Sequence, residues 1–147
     1  MAAIYFYNHF NSELTKATWH PSTSPDIRVN LYSAFTFTAS HTTKTQAETG
    51  ATQLPTANGY TQNAKVVSGW AMNVLATTGL TITSDAVIWY PTSGQSIEAR
   101  YALFYANAVT GQKPLFVLDN GSPVSISAPL PFVVAPPESG WATLNFV

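Results

Sequence analysis

Asp26-Ile27-Arg28-Val29-Asn30-Leu31-Tyr32-Ser33-Ala34-Phe35-Thr36-Phe37 is the stretch that decides the fold class. Ile27, Val29, Leu31, Phe35 and Phe37 point one way, and Arg28, Asn30, Tyr32 and Thr36 point the other. A two-residue period sends alternate side chains to opposite faces of a pleated backbone, so the segment reads as a half-buried β-strand.

The same period recurs downstream. Lys65 to Leu75 alternates around Val66, Trp70, Met72 and Val74. Leu80 to Thr83 and Ala86 to Tyr90 read as a strand pair joined at Ser84-Asp85. Ser96 to Ala106 sets Ile97, Ala99, Tyr101, Leu103 and Tyr105 on one face, with Glu98 and Arg100 on the other. Pro114 to Leu118 is short and apolar. Asp119-Asn120-Gly121 then reads as a hairpin turn into Val124 to Ser127. Phe132 to Ala135, fenced by Pro129, Pro131, Pro136 and Pro137, is at best an edge strand. Residues 2 to 19 fit helix or strand. Thr43 to Gln53 has the composition of a short surface helix within a long polar loop, and Asn58-Gly59 marks a turn. These strands predict a single all-β domain over residues 1–147: an antiparallel sandwich or jelly-roll-like barrel with one or two short helices. Residues 128–147 form a Pro-rich candidate C-terminal arm. Ile27, Val29, Leu31, Trp89, Tyr101 and Leu103 are the expected core.

Composition narrows the function. Only 9% of the 147 residues are charged, against about a quarter in an ordinary soluble domain, yet 46% are hydrophobic. The surface of such a β-protein must be made of Thr, Ser, Asn and Gln. It is cheap to desolvate, because a buried hydroxyl that finds a partner costs far less than a buried unpaired charge. That suits a protein docked against other proteins. Six scattered Lys and Arg make no basic face, which argues against nucleic acid and against polybasic membrane attachment. The absence of cysteine excludes disulfides and thiolate metal sites. The N-terminus has no signal-peptide pattern, and no stretch of about 20 apolar residues is present to span a membrane.

Chemistry-bearing constellations are sparse. His9, His20 and His41 share no metal-ligand spacing. Asp85 and Asp119 sit where turns favour Asp, and Asp26 opens a strand after Pro25, so a glycosidase-type carboxylate pair has no local support. Neither a Gly-x-Ser-x-Gly elbow nor a phosphate-binding Gly loop occurs. The expectation is therefore no enzyme, no metal and no cofactor. Glu98 and Arg100, two apart on one strand face, are placed to pair, either as a surface ion pair or at an interface. Trp19, Trp70, Trp89 and Trp141 carry the chemistry of a sugar-stacking platform, but Trp70 and Trp89 fall in strand patterns and read as core. Trp141, Leu144, Phe146 and Val147 carry apolar area past the prolines. They are candidate interface residues, or else the last strand of the chain's own sandwich.

The order of segments resembles a known group. Asp26-Ile27-Arg28-Val29-Asn30-Leu31 is followed by a polar loop and Gly59-Tyr60. Asp85-Ala86-Val87-Ile88-Trp89 comes next, then Ile97-Glu98-Ala99-Arg100-Tyr101-Ala102-Leu103-Phe104-Tyr105, then Pro114-Leu115. Over roughly residues 24 to 127 this resembles small virion proteins encoded by tailed bacteriophages. The N-terminal aromatic stretch and the C-terminal arm depart from the pattern. The resemblance implies a capsid decoration, or cement, protein: a homotrimer docked on the major capsid protein at the capsid surface, assembled in the host cytoplasm. The alternative in a different class is a receptor- or carbohydrate-binding head-fibre or tail module.

Overall fold

A computed structural model describes residues 2–10, 26–75, 79–108 and 110–145. The fold is all-β. Its strands are β1 (Ala3–Phe6), β2 (Ile27–Ala34), β3 (Thr52–Gln53), β4 (Ala71–Leu75), β5 (Gly79–Thr83), β6 (Val87–Trp89), β7 (Ser96–Ala106), β8 (Lys113–Ser127), β9 (Phe132–Val134) and β10 (Ala142–Asn145). All pairings are antiparallel. A five-stranded sheet runs β1-β8-β7-β2-β3, a three-stranded sheet runs β10-β5-β4, and β6 pairs with β9. The sheets are open and do not close into a barrel.

The two smaller sheets cover one face of the large one, which makes the arrangement sandwich-like. Ile27, Val29 and Leu31 of β2, Ala102 and Phe104 of β7 and Phe116 of β8 form one core cluster with Ile82, Val87, Trp89, Phe132, Val134 and Trp141 from the second layer. The rings of Phe104 and Phe116 stack at 4.5 Å at its centre, and Trp141 packs on both. Offset aromatic stacking of this kind adds to plain burial.

The opposite face of the large sheet is also covered. Tyr7, Tyr32, Ala47, Leu103, Tyr105 and Val117 form a second buried cluster, with Phe35, Phe37 and Tyr101 packed against it. The polar loop folds over this face and is tied down by polar contacts. Its short helix, Lys44–Ala47, starts with a capping box in which Thr43 and Gln46 satisfy each other's backbone donors. Glu48 accepts a hydrogen bond from the Tyr32 hydroxyl and pairs with Lys44 at 2.8 Å. Asn30 is fully buried and exchanges hydrogen bonds with Asn63. So the strand read as half-buried is covered on both sides, and Asn30 and Tyr32 are interior.

Several expectations need correction. β2 ends at Ala34, and Phe35 and Phe37 pack in the second cluster, away from Ile27, Val29 and Leu31. On β7 a register shift between Ala99 and Tyr101 breaks the expected single face. Ile97 and Ala99 belong to the first cluster, whereas Leu103 and Tyr105, with partly buried Tyr101, belong to the second. A bulge inserts residues on one strand and resets which face the following side chains take. Asp119-Asn120-Gly121 is no hairpin turn. It lies inside the continuous β8, where Ala99 opposes Val124 and Tyr101 opposes Asp119, so the residues between bow out opposite Arg100. β5 and β6 are not a pair: β5 sits between β10 and β4, and β6 joins β9. Of the expected core, Ile27, Val29, Leu31, Trp89 and Leu103 are buried, and Tyr101 is only partly so.

The segments that carry the family resemblance meet in this interior. The Tyr60 hydroxyl accepts from the Leu31 N–H at 3.1 Å, and its ring lies 6.2 Å from that of Trp89. Gly59 has φ +93°, and a Cβ there would fall 2.1 Å from the Tyr90 carbonyl oxygen, so close approach and backbone conformation both require glycine. Leu31, Gly59, Tyr60 and Trp89 are thus parts of the scaffold.

Candidate interaction surface

The predicted Glu98–Arg100 pair does not form. The bulge turns Arg100 toward β8, where its Nε lies 2.8 Å from Asp119 Oδ1 and its Nη2 3.1 Å from Oδ2. This forked, two-bond geometry is the strong form of an arginine–carboxylate contact. It holds the Asp119 carboxyl below the usual carboxylate range, helped by the Gly121 N–H. The guanidinium also lies 4.8 Å over the Tyr101 ring. Glu98 is left exposed, with its side chain outside this pair. Asp119 was hidden in the sequence because Asp-Asn-Gly is a turn signal, and nothing local marks it as the partner of Arg100.

Trp141 does not reach outward. It is 3% exposed, its backbone N–H donates to Ile82 O at 2.7 Å, and its Nε1 donates to Ser84 Oγ at 2.9 Å. Of the two readings of the terminal segment, the structure takes the one in which it is the last strand of the chain's own fold: β10 pairs with β5, Leu144 opposite Leu80. Phe146 and Val147 lie outside the described residues, as does Trp19. With Trp89 and Trp141 both buried, those two rings are unavailable as a sugar platform.

An apolar groove of about 320 Å³ opens where β1, the bulged part of β7 and β8, and β9 come together. Ile4, Leu118, Val124 and Val134 line it, with Arg100 and Asn120 at its polar side. Val133 is an exposed apolar residue of its lining, Tyr5 is exposed on the opposite face of β1, and Tyr90 and Leu130 stand out at the turns. Among the described residues, no group of three or more His, Cys, Asp and Glu side chains is placed to hold a metal ion.

Two further ion pairs neutralise charges elsewhere. Arg28 Nε lies 2.8 Å from Asp26 Oδ1, and Asn107 donates to the same carboxylate. Arg28 holds the Asp26 carboxyl below its ordinary range. With Lys44–Glu48 and Arg100–Asp119, the described ion pairs leave Lys65, Asp85, Glu98, Lys113 and Glu138 outside them. Lys65 in turn sits 5.8 Å over the Trp89 ring. The surface is therefore even poorer in free charge than the composition implies. What it offers a partner is hydroxyls, amides, strand edges and isolated apolar side chains. No protein-family model, no curated protein and no solved structure matches the chain.

Proposed function

We propose that this chain is a non-enzymatic virion structural protein: a decoration protein that docks on the major capsid protein at the capsid surface, as a homotrimer, and bridges neighbouring capsid subunits. The observation that carries the reading is the charge-poor surface, with most described charges tied up in local ion pairs. Such a surface loses little on desolvation. Repetition across a lattice multiplies weak contacts into firm attachment, since avidity does not require strong single sites. The resemblance of the segment order to that of phage virion proteins points the same way, and the scaffold role of those segments leaves the surface free to differ. The host cytoplasm is the proposed place of assembly.

Capsids lacking the chain should bind the purified protein, and binding should persist from about 0.1 to 1 M NaCl, where the screening length falls from about 10 to 3 Å. Co-sedimentation measures this directly. Binding that collapses at high salt, or no binding, would remove the basis of the proposal. A glycan array serves the receptor-binding alternative, and selective glycan capture would favour it.

A further inference from the structure

The outer edge of β1 is a sheet edge with which no described strand pairs. The Tyr7 N–H bonds to Leu115 O, in register with Tyr5 opposite Val117 and Ala3 opposite Asp119. In an antiparallel ladder the bonded residues alternate, so Ile4, Phe6 and Asn8 turn their N–H and C=O groups away from β8. The Asn8 N–H is satisfied by Ala39 O, which closes the edge at that point. Among the described residues, nothing pairs with the outward groups of Ile4 and Phe6. Natural edge strands are normally blunted by Lys, Pro or a bulge, and Ala2-Ala3-Ile4-Tyr5-Phe6-Tyr7 has none of these. Among the other edges of the described sheets, β3, β6 and β9 are only two or three residues long, and prolines bracket β9; β4 and β10 are the edges of the three-stranded sheet.

We propose that β1 pairs with β1 of a second copy of this chain, antiparallel, about a two-fold axis at Tyr5. The open groups are symmetric about that residue. Ile4 of one copy and Phe6 of the other would exchange both N–H···O bonds, and the reverse pair would do the same. Ile4 and Phe6 pack on the core side of the sheet, so each cross-strand pair sets one apolar side chain against the other over the groove that Ile4 lines. Tyr5, 43% exposed, meets its counterpart on the opposite face. Residues 2 to 10 carry no Asp, Glu, Lys or Arg, so no like charges meet along the paired strands. The contact is isologous and saturates at two copies. It stands independently of the capsid reading and is compatible with it, because neighbouring trimers on a hexagonal lattice are related by local two-fold axes.

The test uses the absence of native cysteine. Tyr5→Cys introduces a single thiol at the non-hydrogen-bonded pair on the axis, where Cα atoms lie about 4.5 Å apart, within the range of a disulfide. Thr52→Cys, on the exposed opposite edge strand, is the collision control. Under mild oxidation in the full-length protein, Tyr5→Cys should form covalent dimers about tenfold faster than Thr52→Cys. Adding Ile4→Pro, which removes an outward N–H and no bond to β8, should return the rate to the control value. Circular dichroism checks that each variant keeps its strands. Equal rates for the two cysteines overturn the proposal, as does crosslinking of Tyr5→Cys that survives Ile4→Pro in a folded variant.

Discussion

Replacing Trp141 by alanine tests whether the C-terminal segment belongs to the chain's own core. The side chain is 3% exposed and packs on Phe104 at 4.9 Å and Phe116 at 5.4 Å between ring centroids. Removing a buried Trp costs about 3–5 kcal/mol through lost transfer energy and the residual cavity. The lost Nε1–Ser84 bond adds about 1 kcal/mol, because Ser84 is itself buried. The total, near 5 kcal/mol, is comparable to the entire stability of many domains. Trp141→Phe keeps most of the apolar volume and loses the donor, so it should cost about 1–2 kcal/mol. Urea titration followed by far-ultraviolet circular dichroism, with the slope compared between variants, measures both. Deleting residues 138–147 removes Trp141 and β10 together and should abolish cooperative folding. A loss below about 1 kcal/mol for Trp141→Ala, or a truncated chain that folds with wild-type stability, would refute the own-core placement.

Three further outcomes follow from the packing. Gly59→Ala should destabilise by well over the 1–2 kcal/mol of a left-handed backbone, because the added Cβ also strikes the Tyr90 carbonyl; the same titration reads it. Glu48→Gln should cost about 2 kcal/mol, less than the 3–5 typical of a fully buried pair since Glu48 is a quarter exposed, by leaving the buried Lys44 ammonium without its counter-charge. Stability should fall in acid. Asp26 and Asp119 have carboxyl groups held below the ordinary value of 3.8 by Arg28 and Arg100. Their contribution is therefore full above that value and is lost as pH falls through the lowered folded-state pKa. A thermal melt series should show the Asp119→Asn protein losing less stability than wild type between pH 5 and pH 3 (roughly the window of unperturbed carboxylates).

Strand content was legible because the dominant signal, two-residue alternation, is local. β2 and most of the apolar positions of β7 follow from it. The faces of β7 were not legible, because the bulge near Arg100 depends on residues of β8 that bow out opposite it. Asp119-Asn120-Gly121 carries the local chemistry of a tight turn, and long-range pairing overrides it by running β8 straight through. The second buried face was also invisible. Nothing in Asn30 or Tyr32 alone says that Asn63 and Glu48, distant in sequence, will satisfy them. At the surface the outcome is similar: the charge deficit was apparent from composition, but Arg100's partner and the Trp141 pocket are properties of the assembled sheets. The open edge of β1 has a sequence signature, an uncharged and Pro-free run, though its residues also fit a helix until β8 is seen to pair with Ala3 to Phe6.

The most direct test of the decoration reading is the copy number of this chain in purified virions, measured by quantitative mass spectrometry against the major capsid protein. The account predicts hundreds of copies per particle, in a fixed ratio to the major capsid protein. A few to dozens of copies would point to a fibre or tail component, and absence from the particle would contradict the account outright.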